Sequence, residues 1–150
     1  MTITLEKKKE IILNLSKNTE VMESLFEQYG LKVLSTGFVI VDDFGIEKDS
    51  YGKIANVYHN GLMAFVEVTS TNTSESYNVN VVVNLYDENG ILIASRCGNR
   101  ERNIVTFHTF EVEFFRDSRW NDRAKYNNIA LLAHKARVYL ECNITPHGKP

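Results

Sequence analysis

The sequence predicts a mainly β fold, a two-sheet antiparallel sandwich with an N-terminal helical segment. Three observations carry this reading. Strict alternation of apolar and polar residues recurs in several short runs, the clearest being Tyr77–Leu85. Turn signals separate these runs, giving about seven strands, the number expected of a sandwich. The first 30 residues follow a different period, with apolar side chains three and four apart.

The central hairpin is Tyr77 to Ala94. Tyr77, Val79, Val81, Val83 and Leu85 alternate with Asn78, Asn80, Asn84 and Tyr86, and only Val82 interrupts the polar parity. Side chains of a strand alternate between its faces, so the odd-numbered set is expected to be buried. Asp87-Glu88-Asn89-Gly90 supplies turn chemistry. A two-residue loop at Asn89-Gly90 sets Leu85 opposite Ala94 and turns Arg96 inward. A three-residue loop, with Gly90 left-handed, sets Leu85 opposite Ile93, Val83 opposite Ser95 and Val81 opposite Cys97. The second register keeps a charge out of the core and is the one expected.

Val83-Asn84-Leu85-Tyr86-Asp87, followed by Glu88-Asn89-Gly90 and an apolar run, resembles the signature of the FxLYD family of bacterial immunoglobulin-like β-sandwich domains. Val83 departs from it, since the family motif has Phe there. The resemblance implies an immunoglobulin-like sandwich that serves as an accessory module, with no catalytic residues to carry over.

Length and charge set the remaining bounds. A chain of 150 residues is long enough to bury a sizeable core as one domain. The division expected is a helical segment at 1–30, packed on or projecting from a sandwich at 31–150. A formal net charge of −2 gives no general attraction to nucleic acid or anionic membrane. The opening stretch MTITLEKKKEIILNL carries charges where a signal peptide needs an apolar core. The expected location is therefore cytoplasmic, with Cys97 and Cys142 as free thiols in strands. No membrane association is expected.

Along the N-terminal segment, Ile11, Leu15, Met22, Leu25 and Tyr29 form one stripe with Ile12 and Phe26 beside it. The stripe either packs on the sandwich or, together with Phe26, serves as a partner-binding helix. Asn18 is a possible cap dividing the segment into two helices, and Gly30 a C-terminal stop. Leu31–Val41 is a strand, with a bulge or a close backbone approach expected at Gly37. A loop is expected at 46–50, a strand at 51–58 and a tight turn at His59-Asn60-Gly61. Leu62, Ala64, Val66 and Val68 are the inward set of the following strand.

After the hairpin, 98–103 reads as a charged turn. Residues 104–116 read as a long strand whose apolar parity switches near His108, from Val105 and Phe107 to Phe110, Val112 and Phe114. The segment 117–133 reads as a long loop with a helical turn, anchored by Trp120 and Tyr126. Ala136, Val138, Leu140, Cys142 and Ile144 form the inward set of a closing strand ended by Pro146.

Chemistry is sparsely signalled. No GxSxG, HExxH or GxxxxGK[ST] motif is present, and His59, His108, His134 and His147 are scattered. Asp42, Asp43, Glu47 and Asp49 lack EF-hand spacing and read as a solvated acidic loop. No enzyme activity, cofactor or metal is expected. Arg96, Arg100 and Arg102, with Arg119, Trp120 and Arg123, interleave cations with an aromatic. They read as a solvated or salt-bridged rim, as a docking rim for an acidic protein, or as a grip on single-stranded nucleic acid. The function expected is a non-enzymatic interaction or scaffolding module that binds a protein or itself. The alternative is a nucleic-acid-binding accessory protein using residues 96–125.

Overall fold

A computed structural model of the chain describes residues 3–41, 47–48, 51–52, 54–56, 60–71, 75–115 and 126–146. The fold is mainly β, and its two main sheets make a sandwich. The expected strands at 51–58 and 104–116 extend in part beyond the described residues, as do Trp120 and His59.

The N-terminal segment holds two helices and a strand. Helix α1 spans Leu5–Lys17, strand β1 Thr19–Val21 and helix α2 Glu23–Gln28. Thr4 caps α1 by accepting from Lys7 N at 3.2 Å. Asn18 closes α1 as its C-cap and Met22 precedes α2, so the break falls where expected but Asn18 ends a helix and begins none. Gly30, at φ 73°, follows α2 in the left-handed conformation that stops a helix.

The remaining strands are β2 Leu31–Val41, β3 Glu47–Lys48, β4 Ile54–Asn56, β5 Gly61–Ser70, β6 Glu75–Tyr86, β7 Leu92–Cys97, β8 Glu101–Arg102, β9 Phe107–Phe114 and β10 Lys135–Pro146, with helix α3 at Ile129–Leu132. Among the described residues, the larger sheet runs β1-β10-β6-β7, and β8 continues beside β6. The smaller runs β2-β5-β9, and β3 and β4 pair as a separate ribbon. β1 lies parallel to β10, and the other pairs are antiparallel. Residues expected to be a loop at 47–48 thus form a short strand.

The inward sets are as the alternation requires. Tyr77, Val79, Val81, Val83 and Leu85 on β6 meet Leu62, Ala64, Val66 and Val68 on β5 in one core, joined by Phe110, Val112 and Phe114 of β9. Leu15 of α1 and Phe26 of α2 enter the same core at 1 % exposure each. Both helices contact β2 and β10, so they fill the opening between the sheets on that side. On the opposite side β7 and β6 approach β9.

Three expectations are corrected. The hairpin loop is the three-residue one: Asp87 N donates to Ile91 O at 2.9 Å, Gly90 N donates to Asp87 O at 3.0 Å, and Gly90 has φ 78°. The register beyond it differs. Tyr86 faces Leu92 but Leu85 faces Ala94, so Ile93 is an extra residue and every later side chain of β7 changes face. Arg96 therefore turns inward opposite Val83, and Cys97 lies exposed instead of in the core. The charge is accommodated because β7 is an edge strand: the Arg96 guanidinium lies over the Tyr126 ring, 5.5 Å from its centroid, at the rim of the sandwich.

Second, the β2 bulge lies between Val33 and Ser35, while Gly37 pairs regularly with Phe65. Third, β9 keeps one phase. Val105 and Phe107 are 92 % and 57 % exposed, and the apolar parity does not cross to the other face. The approach to β9 is fixed upstream, where the Tyr77 hydroxyl accepts from Ile104 N at 2.9 Å and left-handed Asn103 accepts from Tyr77 N at 2.9 Å.

Candidate functional site

Three surfaces bring candidate residues together. The first lies between α1 and β2. Leu13 is on the side of α1 away from the core, and Val39 is at an outward position of β2. They are 55 % and 50 % exposed. With Lys8, Lys9, Ile12 and Ser16 on one wall and Phe38 and Ile40 on the other, they line an open groove of about 620 Å³. The helical wall repeats at four-residue intervals (8 and 9, 12 and 13, 16), which is one face of a helix. Apart from Ser16 and the two lysines, the lining is apolar.

The second surface is the outer face of the larger sheet. Register sets Glu20, Arg137, Asn84 and Ser95 in one row across four strands. Glu20 pairs with Arg137 at 3.2 Å and with Lys135 at 3.1 Å. Lys135 first, then Arg137, holds the Glu20 carboxyl below its usual range. Arg137 also lies over the Tyr86 ring, 5.6 Å from its centroid, and donates to the Tyr139 hydroxyl at 3.4 Å. Hydrogen bonds from Arg137 and then Tyr86 lower the Tyr139 phenol from its ordinary value, and Tyr139 and Glu20 in turn raise Arg137. Ser95 Oγ donates to Asn84 Oδ1, completing the row. These groups are largely engaged with one another.

The third surface carries the described part of the arginine cluster. Arg96, with Cys97, Gly98 and Asn99, lines a polar cleft of about 170 Å³ whose other wall is Glu111 and Glu113. Arg100 and Arg102 are exposed nearby, on either side of Glu101, which pairs with His108 at 3.6 Å. Carboxylates thus stand among the described cations of this surface. Arg119, Trp120 and Arg123 lie outside the described residues.

Of the expected partner-helix residues, Leu15 and Phe26 are committed to the chain's own core. Ile11, Met22, Leu25 and Tyr29 are partly buried, and Tyr29 packs against that core. The exposed large apolar side chains of α1 are instead Leu5 and Leu13, both outside the stripe, and Leu13 is the one that lines the groove. Two sequence signals mark the groove: an apolar residue out of phase on α1, and the run Phe38-Val39-Ile40-Val41, apolar on both parities of an edge strand.

Among the described residues, no three His, Cys, Asp or Glu side chains gather as metal ligands do. Nor is any helix among them long and apolar enough to cross a membrane. The chain matches no protein-family model, no curated protein and no solved structure.

Proposed function

We propose that this chain is a non-enzymatic protein-interaction module that engages its partner through the groove between α1 and β2. One observation carries the reading: exposed Leu13 and Val39 face a common apolar groove. Contiguous exposed apolar surface favours a partner, because covering it releases about 25 cal/mol per Å². Some polar side chains elsewhere serve the fold. The Tyr77 hydroxyl holds Ile104, Asn80 Nδ2 donates to Gly98 O at 2.7 Å, and Glu20 ties β1 to β10. An immunoglobulin-like accessory domain of the FxLYD type, working in the cytoplasm, is consistent with this role.

The test uses the tagged chain to capture proteins from extracts of its native host. Leu13→Glu and Val39→Glu, each folded by circular dichroism, are expected to lose the captured protein, while Arg100→Glu and Arg102→Glu keep it. Retention by the groove variants with loss by the arginine variants contradicts the groove. Salt-sensitive binding of single-stranded oligonucleotides, lost in those arginine variants, then favours the nucleic-acid alternative.

A further inference from the structure

Resting on that interaction reading, we infer that the groove receives an extended peptide with acidic and apolar residues, which adds as a strand to the outer edge of β2. Phe38, Val39 and Ile40 are consecutive, and side chains of a strand alternate between faces. A groove lined by all three follows the edge of β2 and lies on neither face.

That edge has no described strand beside it. Among the described strands β2 pairs with β5 alone. The opposite edge strand, β9, is approached closely by the turn after β7: a Cβ on Gly98 would stand 3.1 Å from the Glu111 carbonyl oxygen. An edge strand presents a row of backbone donors and acceptors, which an extended peptide satisfies by strand addition. A lipid tail fills the apolar volume but leaves those groups unmatched.

Dimensions and charge narrow the occupant. The α1 wall runs from Lys8 to Ser16, and eight residues of helix rise about 12 Å. An extended chain covers that length with about four residues. Leu13 and Val39 take apolar side chains of the peptide. Lys9 stands beside Lys8 in the groove wall, and the described lining residues include no carboxylate, so an acidic side chain is favoured at that end.

Fluorescence polarisation with labelled, end-blocked octapeptides tests this. The probes alternate valine with glutamate, or valine with lysine. A third is the valine–glutamate peptide N-methylated along its backbone, and palmitate is a competitor. The valine–glutamate peptide is expected to bind, weakened roughly tenfold by Lys9→Glu and lost with Leu13→Glu. The lysine and N-methylated peptides are expected not to bind, and palmitate not to compete. Equal binding of the N-methylated peptide, displacement by palmitate, or no binding of the valine–glutamate peptide overturns the strand proposal. Should it fall while the groove variants still lose the host protein, the interaction reading stands and only the form of the partner is wrong.

Discussion

Arg137 reaches Glu20, Tyr139 and the Tyr86 ring at once. Its removal has a spectroscopic signature. Arg137→Gln deletes the main cause of Tyr139's lowered phenol pKa, so that phenol is expected to ionise at higher pH in a tyrosinate absorbance titration. An unchanged titration contradicts the arrangement. Glu20 gives a linked prediction. Its folded carboxyl is depressed, so its contribution is present above the ordinary carboxylate range and lost as pH falls through the lowered value. The urea midpoint of Glu20→Gln is expected to fall less steeply on acidification than that of the parent. The effect is small because the pair is exposed. Glycines separate what sequence can and cannot reveal. Gly90 is legible from its turn, and its φ of 78° in open space predicts a cost of about 1 kcal/mol for Gly90→Ala. Gly61 is illegible locally: a Cβ there would stand 2.4 Å from Phe115 Cβ. Gly61→Ala is expected to cost about 1–3 kcal/mol by overpacking, read from chemical denaturation.

Elements with a clean period were legible, and their irregularities were not. Alternation identified the buried sides of β5 and β6, because every inward residue there lies against the opposite sheet. It missed the bulge at Ile93, since Leu92 and Ile93 are both apolar and either phase satisfies the local pattern. Hence Arg96 and Cys97 exchanged faces. The three residues of β1 carry too little sequence to announce a strand, and their place is fixed by β10. The site was half visible. The amphipathic stripe of α1 and α2 was readable, but its best members, Leu15 and Phe26, serve the core. The groove needed α1 and β2 brought together from distant parts of the chain. At this scale the cap of α1 is testable. Thr4→Ala removes the acceptor of Lys7 N and is expected to cost about 1 kcal/mol in a urea melt.

For the whole molecule, the N-terminal segment belongs to the cooperative core. Leu15 and Phe26 are fully buried, and β1 extends the larger sheet. Phe26→Ala is expected to cost about 3–5 kcal/mol in the same melt. Deleting residues 1–30 exposes the opening between the sheets and is expected to abolish a cooperative transition, whereas a separable appendage would leave one. Helix α1, which contributes Leu15 to the core, also lines the groove, so in the proposed function stability and recognition share α1. Hydrogen exchange of the chain bound to the protein it captures tests the central claim most directly. New protection is expected in the β2 amides around Phe38–Ile40 and in the α1 peptide containing Lys8–Ser16. Protection confined to the outer face of the larger sheet, or to the Arg96–Arg102 rim, contradicts it.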